Sequence, residues 1–273
     1  VYLLFTAVPI LAGIFYALAY SLGLTGVLAE GFTLANWEKV LSNTAFWQTI
    51  GFSIYVAFTS IVLSLFIALG LIVRWPEAFS RGYLSFIIYL PLGIPAIVMA
   101  FYVFQLLGKG GWLSRLFYQL GLISGLQDFP DWVNDNYGLG IIFAHVCMAS
   151  PFFTIFFANL YKNERAGLLR EQAITLGATE RQAISRVVLP VLLRRGIAAV
   201  FLYFMFVMGS YEIPLLLGSQ SMQMISIRTI QKLQRYNLAD IPEAYAISVV
   251  YSVLVLCMLF LLLLYNRKQL TSR

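Results

Sequence analysis

The sequence predicts an all-α, polytopic membrane protein with six transmembrane helices, and three observations carry that expectation. Apolar residues make up 60% of the chain against 11% charged, and the mean hydropathy is +0.83, far from an average soluble domain. The apolar residues gather in runs of about twenty, the length a helix needs to cross roughly 30 Å of hydrocarbon. These runs are continuously apolar, whereas barrel strands would alternate over about ten residues, so helices are the spanning elements.

In chain order the runs are 1–22, 46–73, 83–107, 138–160, 197–217 and 244–265. The first, VYLLFTAVPILAGIFYALAYSL, reads as a span, and a signal peptide is not expected. Pro9, Pro91, Pro95, Pro151 and Pro214 lie within or near the ends of the runs, where a kink is tolerated if neighbouring helices cover the freed carbonyls. Cys147 and Cys257 fall inside apolar runs without disulfide or metal spacing and read as packing residues.

The basic residues of the loops give an orientation. The loop between the second and third runs holds Arg74 and Arg81 against Glu77. Between the fourth and fifth lie Lys162, Arg165, Arg170, Arg181, Arg186, Arg194 and Arg195 against Glu164, Glu171 and Glu180. The tail adds Arg267, Lys268 and Arg273, while acids such as Asp128, Asp131 and Asp135 offset the bases of the other loops. Both termini are therefore expected in the cytoplasm. The net charge of +6 is spread as a topology signal and forms no basic groove, so lipid headgroups are the expected partner and nucleic acid is not.

Catalytic patterns are missing from the sequence: no GxxxxGK[ST] loop, no HExxH pair and no ordered Ser/His/Asp set occurs. His145, the single histidine, reads as a hydrogen-bonded structural residue or as a substrate or proton contact.

The polar stretch EQAITLGATERQAISRVVLP, residues 171–190, stands between two of the most apolar runs. Leu168, Leu169, Ala173 and Leu176 recur at helical spacing before Gly177, which allows a left-handed cap or a close backbone approach. Thr179 can cap a second helix with Gln182 completing a capping box, and Pro190 marks a bend toward the fifth span. A helix, a turn and a helix outside the bilayer could meet a soluble partner or lie amphipathically among headgroups, and periodicity alone leaves both open.

The stretch resembles the EAA loop of the membrane subunits of type I ABC importers, approximately EAA-x3-GA-S-x2-Q-x-F-x2-I/V-x-LP. Glu171, Ala173, Gly177, Ala178, Gln182, Val187, Leu189 and Pro190 match, while Gln172, Thr179 and Ile184 depart from the pattern. The resemblance implies a single transmembrane domain over 1–273 with the type I ABC importer permease (MetI-like) fold, in which 161–195 forms a cytoplasmic coupling loop. It further implies a non-catalytic subunit of the bacterial inner membrane that pairs with an identical or homologous permease and receives solute from an extracytoplasmic binding protein. This chain would bind no cofactor, because ATP and Mg would sit on a cytoplasmic ABC ATPase dimer. Glu171, Ala173, Gly177, Ala178, Gln182, Ile184 and Leu189 would be the contacts to that ATPase.

Substrate clues are thinner. LGA at 176–178 resembles the polyamine, sulfate, iron and phosphonate branches, and GSYEIPLLLGS at 209–219 resembles the spermidine/putrescine permeases. Glu212, an ionisable group inside the fifth run, suits a path for a cation such as a polyamine, a structural partner such as Tyr211, or an interfacial position. Tyr211, Tyr102, Tyr203 and Phe206 are the accompanying path candidates. DFPDWVNDNYG, residues 128–138, could contact a binding protein, cap the fourth span, or lie at the interface held by Trp132 and Tyr137. An ion-coupled secondary transporter is the rival function, but one intramembrane carboxylate is poor equipment for ion coupling.

Overall fold

The computed structural model describes residues 2–27, 29, 31–76 and 87–271, with side chains described up to residue 264 and not for 2–4 or 6. Glu77, Arg81, Arg273 and the first residues of the third expected span lie outside the described residues, as do the side chains of Arg267 and Lys268. The chain divides into two compact units, residues 1–53 with 222–273, and residues 54–221.

In the first unit, helix α1 (Tyr2–Ser21) packs along the long C-terminal helix α12 (Asp240–Thr271). Tyr20 stacks on Tyr245 at 4.5 Å between ring centres, and Tyr16 meets both edge-on at 5.9 Å. Two short helices, α2 (Ala35–Ser42) and α11 (Ile225–Gln234), also lie against α12. Val40, Phe46, Ile50, Ile225, Ala246 and Ile247 form their common core. Ile225 opens α11 with its N–H bonded to Ser53 Oγ at 2.9 Å, so a side chain of another helix satisfies one of the orphan donors of the helix start.

The second unit holds most of helix α3 (Thr44–Arg74), then α4 (Ala96–Leu107), α5 (Trp112–Gln119), α6 (Leu139–Asn163), α7 (Ala166–Thr175), α8 (Glu180–Ala183), α9 (Leu189–Met208) and α10 (Glu212–Leu217). Gly196 of α9 lies so close to α6 that a Cβ there would come within 2.5 Å of the Phe157 ring. Small residues of this kind are what let helices in lipid approach closely. Phe152, Phe153, Phe156 and Phe157 form an aromatic ladder on α6, against which Tyr203 of α9 packs at 5.0 Å from Phe152 and 5.2 Å from Phe153.

Six spans were expected. Among the described residues five helical stretches are long and apolar enough to cross, the one at Ala96–Gln119 taking in both α4 and α5, and α1 adds a shorter apolar stretch, Ala7–Ser21. The second, fourth and sixth spans keep their expected centres, but the third and fifth are interrupted. Pro95 opens α4 after a 3₁₀ turn at Leu90–Gly93, so no single helix runs from 87 to 107. The fifth expected span, 197–217, breaks at residues 209–211. Pro214 has no N–H to give the Ser210 carbonyl, and its ring would collide with that oxygen in a continued helix. The Pro190 expectation needs the opposite correction. Helix continues from Glu180 to Met208 through a π turn at Ile184–Val188, in which Leu189 N–H reaches back to the Ile184 carbonyl. The wider turn takes up the N–H that Pro190 lacks and the room its ring needs, so α8 runs on into α9 without a break. Cys257, expected to be a packing residue, is exposed on α12, whereas Cys147 is half-buried.

Candidate functional site

Two places gather the residues singled out by the sequence. The first is the joint between α7 and α8. Helix α7 ends in a glycine cap: Gly177 N–H bonds the Ile174 carbonyl at 2.9 Å and Ala178 N–H the Ala173 carbonyl at 3.0 Å. Gly177 takes φ +91°, a conformation L side chains resist, while the space around its missing Cβ is open. The next helix starts from the expected capping box, with Gln182 N–H donating to Thr179 Oγ1 at 3.4 Å and Thr179 N–H donating to Gln182 Oε1 at 2.9 Å. Arg170 and Glu180 pair across the turn, and this bond holds the Arg170 guanidinium above its ordinary pKa.

Local chemistry thus fixes the joint from both sides. Ala173 and Ala178 are half-buried against the turn, whereas Glu171, Gly177 and Gln182 are exposed. Leu176 projects at 89% exposure, and Ile184 and Leu189 are half-buried on the helix that leads away. That helix is 29 residues long, about 43 Å at 1.5 Å per residue, so the joint and a membrane span are one rod. Arg195 anchors the rod beside the end of α6 through Glu164 at 3.2 Å.

The second place is the break after α9. Phe206, Tyr211 and Glu212 line one cleft of about 520 Å³ with His145 and Met148 of α6, Ala96 of α4, and Met205, Gly209, Ser210 and Ile213. His145 is buried, and its Nε2 shares a 3.0 Å hydrogen bond with Ser210 Oγ, a residue of the break itself. Glu212 is exposed in the cleft, and among the described residues neither Tyr211 nor any base bonds its carboxylate. Tyr203 sits behind the cleft wall, 5.6 Å from Phe206, and Tyr102 does not line it. That His145 meets Ser210 was not legible from residue order, because the two stand 65 positions apart. Met148, Met205 and Ala96 were likewise indistinguishable from ordinary apolar positions.

The acidic segment 128–138 closes the far end of α6. Asp135, buried, accepts from Tyr137 N–H at 2.8 Å and Leu139 N–H at 2.9 Å, capping the helix. Asn134 N–H reaches the Leu217 carbonyl at 2.9 Å, tying this segment to the end of α10. Phe129, Trp132 and Phe117 pack edge to face beneath it, whereas Tyr137 is 72% exposed.

Long apolar helices with a capped joint leading into one of them fit the membrane component of a transport system. The chain belongs to the family described as binding-protein-dependent transport system inner membrane component, whose pattern matches residues 66–270. That family is the non-catalytic membrane component of its transport systems. The chain is 27% identical over 242 residues to a probable ABC transporter permease protein, y4fN, of Sinorhizobium fredii, covering 87% of this chain and 40% of that one. It is 28% identical over 186 residues to the thiamine transport system permease protein ThiP of Escherichia coli, covering 67% of this chain and 33% of ThiP. A probable sulfate transport system permease protein, cysT, of Chlorella vulgaris is 25% identical over 248 residues, 86% of this chain and 85% of that protein. The chain thus spans well under half the length of y4fN and ThiP. A crystal structure of a bacterial ABC transporter involved in the import of the acidic polysaccharide alginate shares the fold, with a TM-score of 0.72 at 18% identity over 97% of this chain and 91% of that one. None of these four is named for a polyamine.

Proposed function

We propose that this chain forms half of the translocation path of a binding-protein-dependent importer in a bacterial cytoplasmic membrane, as one permease domain with both termini in the cytoplasm. A cytoplasmic ABC ATPase dimer would carry ATP and Mg, a second permease would complete the path, and an extracytoplasmic solute-binding protein would deliver cargo. One observation carries the reading: the capped joint presents Leu176 to solvent and continues without interruption into a span. A push on the joint is thereby transmitted along a helix to the break at 209–211, and closure of the motor becomes a rearrangement at the cleft. Glu171, Ala173, Gly177, Ala178, Gln182, Ile184 and Leu189 make up the docking face, with Ala173 and Ala178 shaping the turn more than touching the partner.

The alternative of a segment lying among headgroups is weaker on geometry. The exposed apolar residues Leu168 and Ile174 of α7 are six apart, about 120° around the helix, and form no single lipid-facing stripe. Cargo is a small solute. The residue pattern around 209–219 favoured a polyamine, but the relatives are named for thiamine, a cation, and sulfate, an anion, which supports a small solute outside the polyamine branch as readily. Substituting Gly177→Asp is the test: membrane insertion persists while stimulated ATPase activity and transport are lost. Normal transport by a stably inserted variant would remove the joint from the mechanism.

A further inference from the structure

We infer that the cleft at the break in the fifth span is a binding site for a compact organic cation, one with a single positive charge and an apolar or flat body. The inference rests on the proposed import role and names the class of its cargo. A volume of about 520 Å³ lies within the ~300–1,000 Å³ of small-molecule pockets. Among the described residues Glu212 is the one charged residue in the lining, and no lysine or arginine lines the cleft to neutralise an anion. The carboxylate is exposed to the cleft and, among the described residues, has no base as partner, so it is the group there that calls for a counter-charge.

The remaining walls decide which cation. Met148, Met205 and Ile213 are apolar, and Phe206, 60% exposed, supplies aromatic surface in the same cleft as the carboxylate. A cation is attracted to such a ring, and thioether sulfurs favour contact with flat aromatic bodies. An extended polycation would place its further ammonium groups against apolar walls without a second carboxylate, which is the costly way to bury charge. His145 and Ser210 bond each other, and this bond fixes the broken segment that carries Glu212.

The test is equilibrium binding of radiolabelled N-benzylpyridinium to the full chain in lipid nanodiscs, without ATPase or binding protein. Binding saturates, weakens at least tenfold in Glu212→Gln, recovers in part in Glu212→Asp and weakens about threefold in Phe206→Leu. Sulfate does not compete, and spermidine competes no better than sodium chloride of equal ionic strength. The inference is overturned by no saturable binding, by equal binding to Glu212→Gln, or by displacement at lower concentrations of spermidine or sulfate than of unlabelled probe. A chain that binds the probe yet never stimulates an ATPase defeats the import role and leaves the cleft standing. One that drives ATP-dependent uptake of another solute but binds no probe does the reverse.

Discussion

Replacing Gly177 by alanine isolates the mechanics of the joint from its surface chemistry. Nothing lies within 4 Å of the added Cβ, so the substitution neither clashes with a neighbour nor adds charge. Its whole effect is the φ of +91°, which costs an L residue about 1–2 kcal/mol. That cost disfavours the capped joint by a factor of roughly 5–30 relative to conformations in which the turn opens. Asparagine tolerates left-handed backbone better than alanine does. In proteoliposomes holding the complete transporter, stimulated ATPase activity therefore falls in the order Gly177, Gly177→Asn, Gly177→Ala, with the alanine variant down several-fold while its membrane content is unchanged. Equal activity of all three, or an asparagine variant worse than alanine, would refute the argument from backbone strain.

Other substitutions probe the surrounding architecture. Thr179→Ala removes the helix-start acceptor and is expected to cost about 1 kcal/mol, seen as a lower midpoint in thermal unfolding and weaker ATPase stimulation. Asp135→Ala leaves the N–H groups of Tyr137 and Leu139 without their acceptor at a partly buried helix start, a loss of about 1 kcal/mol that faster amide exchange at the start of α6 would report. Gly196→Ala drives a methyl to 2.5 Å from the fully buried Phe157 ring, so either the ring shifts or α9 and α6 separate; a drop of several degrees in Tm is expected, about 1–3 kcal/mol, and an unchanged Tm would show the rings can yield. Glu212→Gln leaves the fold intact and lowers uptake if the cargo is a cation; unchanged uptake of a cationic cargo would remove the carboxylate from the path.

The joint was legible in the sequence because its chemistry is local. Gly177 at a helix end and Thr179 with Gln182 three positions on form their bonds within a few residues, so residue type and spacing suffice. The centres of the second, fourth and sixth spans were legible for a similar reason, since hydropathy is summed along the chain. Pro190 and Pro214 were misjudged because a proline has two outcomes that sequence does not separate. At Pro190 a π turn absorbs it and the helix continues, whereas at Pro214 the helix breaks and re-forms. The cleft was half legible: Glu212, Tyr211 and Phe206 stood out as polar or aromatic residues in one run. Their companions on α6 and α4 are set by packing between distant segments, which no local pattern encodes. For the same reason Tyr203 and Tyr102 looked equivalent to Phe206, yet one is packed against phenylalanines of α6 and the other lies away from the cleft.

Docking of the motor on the joint stands or falls at Leu176, its most exposed apolar side chain. Covering an exposed leucine contributes about 1.5–3 kcal/mol, and an aspartate in the same contact forfeits that and adds a desolvated charge. The measurement is the amount of cognate ATPase that co-purifies with the membrane chain carrying Leu176→Asp. Less than one-tenth of the wild-type amount is expected with insertion unchanged; a wild-type amount would rule out docking of the motor at this joint.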